Sequence, residues 1–145
     1  MYVFDTNILV AGLRSRKGAS FLILRALRYG LIKGAASTAL LLEYDDVLRR
    51  DANLAEFWAK ADEVDVILGV LADLLEPVPI YFSWRPQLTD PNDEMVLECA
   101  LNSQAIAIVT FNIRDFLPAA NQLQMKLIQP GELVQQLNLV ARLPQ

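Results

Sequence analysis

The most constraining stretch of the chain is Met1-Tyr2-Val3-Phe4-Asp5-Thr6-Asn7. A short, continuously apolar run of strand formers stops abruptly at an acid, a hydroxyl and an amide. A helical pattern (Ile8, Leu9, Val10, Ala11, Leu13) follows without a linker. A strand apolar on both faces must be buried on both, and a helix directly after it suits a parallel sheet. Asp5 then stands at the carboxyl end of that strand, where open α/β sheets gather ligands. The same residues also suit a helix cap by Asp5 or Thr6, and this stretch alone leaves both readings open.

The rest of the chain repeats the alternation. Arg14 to Gly18 is a basic turn, and Ala19 to Tyr29 carries helical spacing with Gly30 as its stop. Leu31 to Ala36 reads as a second strand, and Ser37 caps a helix over Thr38 to Arg50. Asn53 to Leu75 is a long amphipathic region, one helix or a pair, with Phe57 and Trp58 on its apolar stripe. Part of that stripe is a candidate partner surface, although core packing explains it equally. Pro77 and Pro79 end it, with Ile80 to Trp84 extended before a turn at Pro86.

Asp90 as N-cap and Pro91 at the first helical position open a helix running through Leu101. Ala105 to Val109 is a strand, Thr110 to Phe116 a polar turn, Met125 to Ile128 a strand and Gly131 to Val140 a closing helix. One α/β domain over residues 1–145 is expected, with a mostly parallel sheet covered on both faces.

Composition narrows the chemistry. Histidine is absent and Cys99 is the only cysteine, so intramolecular disulfides, cysteine-based zinc sites and nucleophiles activated by histidine are excluded. Cys99, among Val96, Leu97 and Ala100, reads as a small buried hydrophobe. With 54% hydrophobic residues the chain is globular, and charges interrupt every apolar run before membrane-spanning length. With no leader pattern at the start, a cytoplasmic location is the expectation. A net charge of −4 argues against a broad basic nucleic-acid footprint, but not against an enzyme whose acids hold metal.

Four acids resist explanation as solvated surface. Asp5 follows a strand; Glu43 shares a helix face with Ala39, Leu40 and Val47; Asp93 lies beneath Val96, Leu97 and Ala100; Asp115 follows the strand ending at Val109. Local alternatives exist: macrodipole stabilisation for Asp93, and an Asn112 cap with Asp115 three residues on. Asp45 and Asp46 precede Arg49 and Arg50 by four residues and read as solvated pairs. The capping role accounts for Asp90, and Glu94 and Glu98 read as an exposed flank. Two acids at strand ends and two on inner helix faces can converge on one crevice. Such a set needs a cation, and oxygen ligands favour Mg²⁺ or Mn²⁺, which suits phosphodiester hydrolysis.

These motifs, Val3-Phe4-Asp5-Thr6-Asn7, Glu43, Asp93 with Ala100, and Val109 to Phe116, resemble in order those of the PIN-domain nucleases. Within that family the toxin-like VapC ribonucleases are the most similar group. The resemblance implies a three-layer α/β/α sandwich with a parallel sheet of order 3-2-1-4-5. It implies that Asp5, Glu43, Asp93 and Asp115 are catalytic and hold Mg²⁺ or Mn²⁺, with Asn7, Thr110 and Asn112 orienting carboxylates or water. It further implies a toxin cleaving single-stranded RNA, an antitoxin protein as partner, and a homodimer or higher homo-oligomer. Asn112 stands where many members carry another acid. Arg14, Arg16, Lys17 and Arg114 are candidates for substrate phosphates. The alternatives are a haloacid dehalogenase-like phosphohydrolase, which wants an acid where Asn7 stands, and a catalytically inactive PIN-fold binding module.

Overall fold

A computed structural model of the chain describes residues 1–83 and 88–145. Strand β1 (Tyr2–Phe4) leads into helix α1 (Thr6–Arg14), followed by α2 (Ala19–Arg28), β2 (Ala35–Ala36) and α3 (Thr38–Leu48). Next come α4 (Asp51–Leu54), α5 (Ala61–Leu74), β3 (Glu76–Pro77) and α6 (Pro91–Ser103). β4 (Ala107–Val109), α7 (Ile113–Gln122), β5 (Leu127–Ile128), α8 (Pro130–Gln136) and α9 (Leu139–Arg142) complete the chain.

All strand pairs are parallel. β1 pairs with β4 in the register Tyr2↔Ala107, Val3↔Ile108 and Phe4↔Val109, and β4 pairs with β5. β2 and β3 form a second, two-stranded sheet. A parallel bridge from Tyr2 to Gly34, with the Tyr2 N–H on the Lys33 carbonyl at 2.9 Å, ties the two sheets together. Gly34 is required by that approach: a Cβ there would lie 2.6 Å from a Leu75 methyl and 2.7 Å from the Phe4 ring. Val3 and Phe4 point to opposite faces, as do successive residues of β4, and all are buried. Both faces of the β1–β4 ladder are therefore covered, as the unbroken apolar runs predict.

Several elements refine or depart from the sequence expectation. Of the two arrangements expected for Asn53 to Leu75, one helix or a pair, the chain forms a pair, α4 and α5, parted where the backbone N–H of Trp58 and its indole N–H bond the carbonyls of Leu13 (3.0 Å) and Gly12 (2.9 Å). These are carbonyls the end of α1 cannot satisfy itself. Pro77 does not simply stop a helix but sits within β3. The ladder survives because Glu76 and Val78 on either side supply the N–H groups, to Gly34 and Ala36. The second strand is only two residues long, and the expected turn from Thr110 to Phe116 gives way to α7 at Ile113, despite Pro118 within that helix. The closing helix breaks in two at Asn138, which has φ 53°. The expected end of the extended segment at Trp84 and the turn at Pro86 lie outside the described residues.

Candidate active site

The carboxyl ends of β1 and β4 lie side by side, and the chain continues their ladder one step further. The Asp5 N–H bonds the Val109 carbonyl at 2.9 Å, and the Thr110 N–H bonds the Ile128 carbonyl at 3.0 Å. Thr110 is fully buried; its hydroxyl donates to Asp5 Oδ2 at 2.7 Å and accepts the Asn112 N–H at 2.9 Å. One threonine thus fixes the carboxylate rotamer and the turn that follows β4.

Asp5 occupies the N-cap position of α1 but makes no capping hydrogen bond with its side chain. Its carboxylate is held by the Thr110 hydroxyl, with the Thr6 and Asn7 amides at the start of α1 nearby. Burial pushes the Asp5 carboxyl above the usual range. The Thr110 hydroxyl and the nearby Thr6 and Asn7 amides pull it back in part, and the charge of Asp90 raises it.

α3 brings the second acid. Its N-terminus is closed by Ser37, whose hydroxyl accepts the Leu40 N–H at 3.2 Å. Tyr44 is buried, and its hydroxyl donates to the Phe4 carbonyl at 2.5 Å, pinning the helix to the residue before Asp5. Glu43, the neighbour of Tyr44, is partly buried. Its carboxyl is raised by burial, lowered by Arg50, and raised by Asp46, Asp90 and Asp5.

Asp93 lies in the first turn of α6 and is only 8% exposed. Burial is the main cause that lifts its carboxyl to about 6, with further contributions from Asp5, Asp90 and Asp115. Asp115, exposed in the first turn of α7, is thus within electrostatic reach of the same group. The charge of Asp5 reaches Glu43 and Asp93, and that of Asp115 reaches Asp93. A fifth joins them: Asp90 accepts the Asn92 N–H at 2.9 Å as a cap, yet its charge is felt by Asp5, Glu43 and Asp93. Sequence reading assigned it to capping alone, and only the register of α6 against β1 and α3 reveals its second role.

The polar neighbours are distributed unevenly. Asn7 Oδ1 is buried without a hydrogen-bond partner, whereas Asn112 is exposed and contributes its backbone N–H to Thr110. Glu94 is not on an exposed flank. It is 5% exposed and accepts the Leu88 N–H, because the segment before Asp90 folds back along α6. Glu98 is partly buried.

Asp45 and Asp46 pair with Arg49 (3.0 Å) and Arg50 (2.8 Å) as expected, and Arg49 also reaches Asp65. Cys99 is buried, and burial pushes its thiol up to about 11, so it is inert at neutral pH.

The basic candidates separate into two places. Arg14 ion-pairs with Glu56 at 2.8 Å, and Arg16 lies 4.4 Å above the Trp58 ring. Both, with Lys17, stand at the far end of α1 from Asp5, roughly 12 Å along the helix. Arg114, in contrast, is exposed beside Asp115. A cavity of about 300 Å³ lies on that other side, between α1, α2 and α5, and none of the five acids lines it. Its apolar walls suit a hydrophobic contact rather than a charged group.

A hard divalent cation fits the donor set in type and charge. The donors are oxygens, and among the described residues no cation contributes to the shifts of Asp5 or Asp93. The orphaned Asn7 Oδ1 offers a further oxygen nearby in sequence. Among the described residues, no group of three or more histidine, cysteine, aspartate or glutamate side chains is placed to hold a metal ion.

Among the described residues, no helix is long and apolar enough to cross a membrane. No curated protein matches the sequence. The PIN-domain family profile matches residues 1–114, from the first strand through Asp5, Glu43, Asp90 and Asp93 to the start of α7. The chain therefore belongs to the PIN-domain family, whose members are typically nucleases and generally use divalent metal ions.

Proposed function

We propose that this chain is a Mg²⁺- or Mn²⁺-dependent endoribonuclease that hydrolyses phosphodiester bonds in single-stranded RNA. The observation that carries the reading is the buried Thr110–Asp5 hydrogen bond at the carboxyl ends of β1 and β4, with the charge of Asp5 felt by both Glu43 and Asp93 and that of Asp115 by Asp93. Asp5, Glu43, Asp93 and Asp115 would hold the ion, and Asp90 adds negative charge to the same crevice. The bound ion supplies charge neutralisation at the scissile phosphate and a more acidic water.

The chain's own residues prepare that chemistry. Thr110 fixes the Asp5 rotamer, so no reorganisation is needed when substrate arrives. Asn7, through its unpartnered Oδ1, and Asn112, at the mouth of the crevice, orient ligands or water. Arg114 meets a phosphate flanking the cleaved bond, and Arg14, Arg16 and Lys17 meet only distal ones.

The finer family features belong to the same proposal. The two sheets act as one in the order 3-2-1-4-5, supported by the Tyr2–Gly34 bridge, within an α/β/α sandwich. The protein acts in the cytoplasm as the toxin of a toxin–antitoxin pair and as a homodimer or higher homo-oligomer. Val66, Val70 and Leu74 expose an apolar stripe on α5 beside the 300 Å³ groove, which supports a protein partner there. The dehalogenase alternative lacks its second acid at Asn7 and finds no support in the family match.

The deciding experiment is cleavage of a 5′-labelled single-stranded RNA by the purified protein with Mn²⁺ or Mg²⁺ and with EDTA. Cleavage should require the divalent ion and fall by at least about a hundred-fold in Asp5→Asn and Asp93→Asn, each checked for folding by circular dichroism. Equal cleavage by the variants overturns the site assignment. Inactivity of the wild type, together with no Mn²⁺ binding at millimolar concentration, favours an inactive binding module.

A further inference from the structure

Phe111 stands between two residues of the acidic crevice and has no part in the chemistry described so far. It follows Thr110, whose hydroxyl holds Asp5, and precedes Asn112, whose N–H is held by that same hydroxyl. The backbone on either side is therefore fixed: the Thr110 N–H is on Ile128, and the Asp115 N–H closes the first turn of α7 onto the Asn112 carbonyl at 3.2 Å. On this pinned turn the Phe111 ring remains 48% exposed, whereas Phe116, five residues on, is wholly buried in the core. An aromatic ring held in water one residue from the Thr110 that bonds Asp5, with exposed Asn112 and Arg114 beside it in sequence, has the makings of a base-stacking platform.

We propose that Phe111 stacks on an unpaired nucleobase next to the scissile phosphate and so makes the site selective for single strands. The proposal rests on the nuclease reading above and deepens it. A duplex hides the faces of its bases in its own stack and leaves Phe111 without a partner, whereas an unpaired base offers a face. Every base has such a face, so the platform selects strandedness rather than sequence.

The test uses a mixed-sequence 12-nucleotide RNA, cleaved with Mn²⁺ by the wild type and by Phe111→Ala, Phe111→Leu and Phe111→Trp. Phe111→Ala and Phe111→Leu should raise KM about ten-fold or more, with a smaller fall in kcat, while Phe111→Trp keeps the wild-type KM. Val140→Ala, on exposed α9, controls for loss of surface apolarity. A second readout replaces each base in turn with an abasic position. One position should raise the wild-type KM as much as Phe111→Ala does, and combining the two should add little more. If Phe111→Leu matches the wild type, or every abasic effect adds fully to Phe111→Ala, stacking is overturned while the nuclease reading stands. A wild type that neither cleaves nor, by fluorescence anisotropy, binds the labelled strand overturns both.

Discussion

The molecule holds two groups of acids that differ in what answers their charge. Along α3 to α5, Asp45 and Asp65 meet Arg49, Asp46 meets Arg50, and Glu56 meets Arg14, all at exposed positions. At the carboxyl end of β1 and β4, Asp5 and Asp93 are buried, and the charges shifting them are other acids. The first group is neutralised by the chain and contributes little beyond solubility. The second is a standing electrostatic cost, and such a cost persists where something outside the chain is meant to relieve it. The difference lies in the partner, since the residue type is the same.

That contrast can be broken most sharply at Asp93. A carboxyl raised in the folded state binds protons more tightly folded than unfolded, so metal-free stability should rise as pH falls from about 7 through 6 towards the ordinary carboxylate range. Asp5 is raised too and acts in the same direction. Asp93→Asn should make the metal-free protein more stable at pH 7.5, by an amount on the order of 1–3 kcal/mol, and flatten that pH dependence. Thermal melts in EDTA at several pH values measure it; an unchanged slope would falsify the idea that Asp93 is destabilised by its neighbours. Millimolar Mn²⁺ should raise the wild-type melting temperature and not that of the variant.

Tyr44→Phe probes how the unpaired group is assembled. Removing the hydroxyl leaves the buried Phe4 carbonyl without its partner and should cost about 1–3 kcal/mol. Because that bond sets the end of β1 against Glu43, Mn²⁺ affinity by calorimetry should also weaken several-fold. A control of equal instability, Leu48→Ala in the core of the same helix, should leave that affinity alone. Weakened binding in both would reduce Tyr44 to a packing role.

The smallest effects compare the two groups directly. Asp90→Asn keeps an excellent N-cap while deleting a charge felt by three acids, so metal-free stability should rise slightly and Mn²⁺ affinity fall a few-fold. Asp46→Asn deletes an exposed, paired charge, and denaturant unfolding should shift by about 0.5 kcal/mol or less with no change in Mn²⁺ binding. If the two variants behave alike, the division between the groups does not hold.

The burial of Asp5 and Asp93 was legible in the sequence because each interrupts an apolar pattern that strand and helix periods make visible, whereas Asp115, in a polar stretch, was marked only by following a strand. Asp90 was legible only as a cap, since a cap satisfies every local requirement, and its nearness to Asp5 and Glu43 spans long sequence separations. Glu94 was misread for a related reason: helical spacing placed it on a flank, and the segment at Leu88 that buries it arrives from outside the helix. A helix pair was one of the two readings of the long stripe, but the place of its break was not legible, because the stripe continues through Trp58 and the carbonyls that take its N–H groups belong to α1. Pro77, read as a helix stop, also lies within a strand whose ladder hydrogen bonds are supplied by Glu76 and Val78 on either side.

The sequence by itself determined the alternation of strand and helix, the parallel pairing of the buried strands and the oxygen-only chemistry, since periodicity and residue type are local properties. Tertiary structure alone decided which acids share a crevice, which are answered by arginine, and which carbonyl each buried N–H meets. Electrostatic coupling and hydrogen bonding depend on distance through space, and the path of the chain does not fix that distance until the strands are in register.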